Sequence, residues 1–179
     1  MIPALLFSVA ATLGSMFNLA KIAITTHSSL APKSLSERAT LEVLLLTRFR
    51  NTLLICSSLF AASIYFFIAP SASLQWWIIG AWTLEYTGVI VAAILPAKGK
   101  TFRLHLAGAQ AMGVGMLLLA FVFWRNYTGA GSAIELVIGI AMLILGLGTY
   151  LDKKRFIFHE LGFIYLNHIS IVVAALLLT

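Results

Sequence analysis

The sequence predicts an all-α polytopic membrane protein, a bundle of six transmembrane helices with a short cytoplasmic helix between the first and the second. Three observations carry that prediction. The chain is 61% hydrophobic and 10% charged, against roughly 45–50% apolar and 25% charged in soluble domains. It divides into six apolar stretches, each near the ~20 residues that cross a hydrocarbon core. Its basic residues fall in alternate connections, as they do where loops alternate between cytoplasm and outside. With 179 residues and about 20 residues plus a connection for each span, the whole chain 1–179 is one transmembrane domain, with spans at about 3–24, 52–69, 74–96, 103–124, 132–150 and 157–178.

The first span opens Met1-Ile2-Pro3 without a basic n-region or a small-x-small cleavage site, so it reads as a retained helix and not a signal peptide. Pro3 suits a first helical turn, where its missing N–H does no harm. Lys21, near the far end, can snorkel to the headgroups as an interfacial anchor. The polar stretch 27–51 follows as a cytoplasmic loop. Within it Ser34-Leu35-Ser36-Glu37 fits a capping box, in which the Ser oxygen and the Glu carboxylate satisfy free N–H groups of a new helix. A helix is therefore expected from Ser34, running on through Leu41 to Leu46 along the interface or as an extension of span two.

Span two stops at Pro70, and the short uncharged link Ser71-Ala72-Ser73 makes spans two and three antiparallel neighbours. Trp76 and Trp77 fit an aromatic belt at one membrane face. Span four carries Ala107, Ala111 and Gly115, a small-xxx-small run, with Gly108 and Met112 beside it. Such residues let helix backbones approach in lipid, so span four is expected inside the bundle. In span five, Glu135 is expected at the interface or in the N-terminal turn, where the helix dipole favours a carboxylate. The single cysteine, Cys56, lies in an apolar segment and reads as a small packing residue.

Charge gives the orientation. Lys21, Lys33, Arg38, Arg48 and Arg50 flank the first connection, Lys98, Lys100 and Arg103 the third, and Lys153, Lys154 and Arg155 the fifth. The second connection has no Lys or Arg and the fourth has Arg125 alone. The positive-inside rule then places both termini on the non-cytoplasmic side. The net charge of +6 is spread between apolar segments and forms no stripe for nucleic acid. Asn126-Tyr127-Thr128, on the predicted outer side, is a glycosylation triplet close against the membrane.

One constellation is placed by depth. Glu85 falls about eleven residues into span three and His168 about twelve into span six, which at 1.5 Å per residue sets both near the bilayer midplane. An ionisable group there costs about 2.5–3.5 kcal/mol on insertion scales, and a carboxyl and an imidazole at one level can share a proton. Tyr86, Tyr165, Asn167 and Gln110 are the residues expected to hydrogen-bond around that pair. The same residues fit a purely structural contact between helices. A second, weaker cluster is His105, His159 and Glu160, all near the cytoplasmic edge, where they could hold Zn²⁺, act as acid and base on a headgroup, or simply bind water or lipid. Without a tight ligand spacing, no metal site is predicted. No nucleotide loop, CxxC pair or nucleophile elbow is present, and no cofactor or catalytic set is assigned.

The stretch Gly88 to Pro96, a short polar loop, and then Arg103-Leu104-His105-Leu106-Ala107-Gly108-Ala109 resemble the central hairpin of the Frag1/DRAM/Sfk1 group and related six-span membrane proteins. The resemblance covers roughly 30 residues, and Leu95 stands where that group often has an aromatic residue. It implies a six-helix bundle and a link to lipid remodelling or membrane trafficking, with His105 at a family-like position. Three functions fit the sequence: a non-enzymatic accessory, scaffold or lipid-binding protein, a proton-coupled small-solute carrier using Glu85 and His168, and a lipid-modifying enzyme using the interfacial histidines. The expected partners are the lipid bilayer, a lipid or small solute in the bundle, and another membrane protein or a second copy of the chain.

Overall fold

The structure, a computed structural model, describes residues 2–25, 34–95, 97, 99–152 and 155–178. Lys33, Lys98, Lys153 and Lys154 of the charge count, and residues 27–33 of the first loop, lie outside them. Among the described residues there are seven α-helices: α1 (Ile2–Thr25), α2 (Leu35–Ala39), α3 (Val43–Ser63), α4 (Gln75–Ile94), α5 (Phe102–Asn126), α6 (Gly129–Leu151) and α7 (Phe156–Leu176). All but α2 are long and apolar enough to cross a membrane.

The capping box forms as the sequence predicts. Ser34 Oγ accepts from the Glu37 N–H at 3.2 Å and Glu37 Oε2 accepts from the Ser34 N–H at 3.2 Å. The helix it starts is shorter than expected, however. Thr40 Oγ1 donates to the Glu37 carbonyl at 2.7 Å, a local bond that competes with helix continuation, and Glu42 is extended before α3 begins. The five-residue α2 is held by tertiary contacts: Leu35 and Ala39 are buried, the Leu35 N–H donates to Glu160 Oε2 at 2.8 Å, and Arg38 Nη1 donates to the Ala23 carbonyl at 2.7 Å.

Span two starts earlier than the expected 52, at Val43, so Arg48 and Arg50 belong to its first turns. At its other end Pro70 has no N–H to continue the ladder. The backbone widens into a π-helical turn, Ile64–Ile68, closed by the Ala69 N–H on the Ile64 carbonyl, and then a 3₁₀ turn, Ala69–Ser71.

The six long helices form a ring in which each packs on its chain neighbours and α7 returns to α1. The connections alternate between two ends. At the basic end, α2 bonds to the first turns of α7, and His105 of α5 bonds to Leu95 just beyond α4. At the other end Asn126 Oδ1 accepts from Ser73 Oγ at 3.0 Å and from the Leu74 N–H at 3.1 Å, and Tyr127 Oη donates to the Ala174 carbonyl at 3.2 Å. The asparagine of the glycosylation triplet thus ties two connections together.

The α4–α5 hairpin is the tightest contact. A Cβ on Gly115 would lie 2.5 Å from the Glu85 nitrogen, and one on Gly88 would strike the Met112 backbone. The interface runs along Gly108, Met112 and Gly115, while Ala107 faces outward. The small-residue face is therefore rotated by one position from the expected Ala107–Ala111–Gly115 run, because a bare Cα, unlike an alanine methyl, allows backbone contact.

Buried side chains form two apolar clusters. One gathers Ala4, Phe60, Trp82, Phe123 and Ile171 toward the termini, and the other Leu19, Leu45, Val89, Met142 and Ile157 toward the basic end. On α1, α4 and α7 the buried polar residues Ser15, Glu85, Asn167 and His168 fall between members of the two clusters. A polar layer thus crosses the bundle near mid-depth. Large apolar residues such as Leu13, Phe17, Val137 and Ile144 cover the outside, together with Trp76 and Trp77 at the start of α4.

Candidate functional site

Two sites emerge, one in the polar layer and one at the basic end. In the layer, Asn167 Nδ2 donates to Glu85 Oε1 at 2.8 Å and joins α7 to α4. Glu85 is fixed from behind, since Gly115 brings the α5 backbone against the backbone of Glu85 itself. His168 lines a cavity of about 20 Å³ together with Glu85, Ser15, Thr52, Cys56 and Ser57. Its ring packs on that of Phe60 at 4.7 Å between centroids. Glu85 Oε2, Asn167 Oδ1, His168 Nδ1 and the indole Nε1 of Trp82 are buried with no protein partner. A cavity of this size holds one water, provided that polar groups face it.

The structure therefore brings Glu85, Asn167 and His168 together and leaves out the other predicted members. Tyr86 Oη pairs with Ser58 Oγ at 3.2 Å and its ring stacks on Trp82. Tyr165 Oη donates to the Met16 carbonyl at 3.0 Å. Gln110 lies on the exposed side of α5. Depth along a helix is legible from sequence, but rotation about its axis is set by packing, and that rotation turns these three away.

Glu135 corrects the expectation of an interfacial acid. Because α6 begins at Gly129 and Ser132 Oγ donates to the Trp124 carbonyl at 3.1 Å, Glu135 falls in the second turn and is fully buried. Its Oε2 accepts from Ser170 Oγ at 2.6 Å, and its Oε1 has no partner. Two signals for these features were present in the chain. Asn167 and Ser170 stand three apart, on one helical face, and Ser8, Thr12 and Ser15 make a polar stripe on α1 whose Ser8 pairs with Ser63 of α3 at 2.8 Å.

At the basic end, His105 and Glu160 line a common cavity of about 280 Å³. Its polar wall adds Ser34, Ser36, Glu37 and Thr149, and its apolar wall Phe102, Leu106, Ala109 and Phe156. His105 Nδ1 lies 2.7 Å from the Leu95 carbonyl. A carbonyl only accepts, so Nδ1 carries hydrogen and a neutral ring keeps Nε2 as its acceptor. His159 does not join this wall. Successive helical residues point about 100° apart, and its ring lies over Gly148 with Nε2 3.9 Å from Asp152 Oδ2. The three-residue edge cluster is thus split. Among the described residues, no group of three His, Cys, Asp or Glu is placed to hold a metal ion.

Comparison with known proteins finds no family model, no curated protein and no solved structure that matches this chain.

Proposed function

We propose that this chain is a non-enzymatic integral membrane protein that binds a membrane lipid at the basic end of its bundle. The cavity between α2, α5 and α7 carries the reading. Its volume of about 280 Å³ is near the lower bound of ordinary ligand sites. One wall is polar and the other apolar, and Phe102 and Leu106 of the apolar wall are themselves exposed on the outside of the bundle. An acyl chain lying along α5 would meet lipid without a break, with its headgroup against the hydroxyls of Ser34 and Ser36 and the side chains of His105 and Glu160. Exposed Lys100 and Arg103 flank Phe102 and suit a phosphodiester.

The charge pattern supports a cytoplasmic basic end and non-cytoplasmic termini. The likeness of the α4–α5 hairpin to a group linked with lipid remodelling points in the same direction. A second membrane protein, or a second copy, meets the outer helix faces in this reading. The cavity at Glu85 has room for about one water, which favours a binding protein over a solute carrier.

Native mass spectrometry of the gently extracted full chain tests the proposal. The expected result is a defined lipid mass on the wild type that is lost in Ala109→Trp, a substitution that fills the cavity, with the melting temperature little changed. A bare wild type, or a lipid retained equally by the variant, counts against it.

A further inference from the structure

The polar layer carries an inference independent of the edge cavity. Glu85 is 2% exposed and His168 7% exposed, and no Lys or Arg is among the buried residues described. The groups facing the pair can be taken helix by helix. α1 supplies Ser15, α3 supplies Thr52, Cys56 and Ser57, and α5 supplies Met112 and Met116. The other buried acid among the described residues, Glu135 of α6, does not line that cavity and is held by Ser170, one turn beyond Asn167 on α7. Among the described residues, His168 is therefore the one basic side chain lining the cavity that Glu85 also lines. Each of the two has a buried atom without a protein partner, Oε2 on Glu85 and Nδ1 on His168, and the space they share has room for a single water.

We propose that Glu85 and His168 form an internal proton-binding site in which one bound water bridges Glu85 Oε2 and His168 Nδ1, and the pair holds a single dissociable proton. When the proton moves, the Glu85 carboxylic acid gives its hydrogen to the water and the water gives one of its own to Nδ1. The water is regenerated, and a carboxylate and an imidazolium replace a neutral acid and a neutral imidazole. Both states have zero net charge, which is what a layer enclosed by apolar clusters tolerates. Asn167 is a positioning residue. Its amide donates to Oε1 in either state and keeps Oε2 as the oxygen that meets the water.

The test uses the full chain in lipid nanodiscs, with infrared spectra of the carboxylic-acid carbonyl and nitrogen NMR of labelled histidine, His168 being assigned by loss of its signal in His168→Gln. The expected result is one proton on the pair: an acid band with a neutral imidazole, or an imidazolium with no acid band. Because Glu135 is also buried, the acid band assigned to Glu85 is the one that is absent in Glu85→Gln and retained in Glu135→Gln. The His168→Gln variant, which leaves Glu85 in place, is expected to move that band, or to create one if the wild type has none. An acid band that persists in Glu135→Gln together with an imidazolium at His168 overturns the proposal, as does a Glu85 signal unaffected by His168→Gln. If Glu85→Gln does not fold, the wild type and His168→Gln alone still decide the outcome.

Discussion

Asn167 and Glu85, 82 residues apart in the chain, meet through a 2.8 Å hydrogen bond that joins the last span to the third. It joins the two helices at the level of the polar layer, and it commits one carboxyl oxygen while leaving the other without a protein partner beside a cavity. Stability should depend on the acceptor oxygen more than on the charge. Glu85→Gln keeps an acceptor for Asn167 and should lower stability by less than about 1 kcal/mol, whereas Glu85→Ala strands a buried amide at about 1–3 kcal/mol. Thermal unfolding in detergent, followed by maleimide labelling of the single, buried Cys56, reads both. Equal losses would show that the bond contributes little.

Close approach of α4 and α5 predicts that glycines of the same helix differ sharply. A Cβ at Gly115 meets the Glu85 backbone, while one at Gly113 meets nothing within 4 Å. Gly115→Ala should destabilise by about 1–3 kcal/mol through overpacking. Gly113→Ala should be neutral or stabilising by up to about 1 kcal/mol from helix propensity. The same unfolding assay ranks them, and a neutral Gly115→Ala would mean that the hairpin is looser than described.

Ser170→Ala removes the donor that Glu135 Oε2 accepts from at 2.6 Å. An acid left without its partner should cost about 1–3 kcal/mol, and Glu135→Leu in the Ser170→Ala background should recover part of that loss. A double-mutant cycle measures the coupling, expected near the ~0.6 kcal/mol average for polar pairs within membranes and below about 1.7 kcal/mol.

The short α2 should be the first part of the described chain to open. Ser34→Ala removes the cap, at about 0.5–2 kcal/mol, and Glu160→Ala removes the acceptor of the Leu35 N–H. Hydrogen exchange of 35–40 is expected to quicken in both variants while α3 to α7 are unchanged. Exchange at the wild-type rate in both would show that burial of Leu35 and Ala39 alone holds the helix.

Composition, span lengths and alternating charge are properties of the chain, and they determined the six-span architecture, the alternation of its connections and the capping box at Ser34. They did so because the hydrocarbon core requires ~20 apolar residues per crossing and satisfied backbone groups, a demand that any local window of sequence answers by itself. Depth was local too, so Glu85, Asn167 and His168 could be set at one level before the fold was known. The rotation of each helix was decided only by tertiary packing. Gly115 packs against Glu85 with Gln110 on the outward side of α5, and α6 is turned so that Glu135 is buried beside Ser170. A helix that is apolar all round carries no moment to say which face is inward. In lipid, where burial does not distinguish one apolar face from another, close backbone contact and a few polar bonds make that choice.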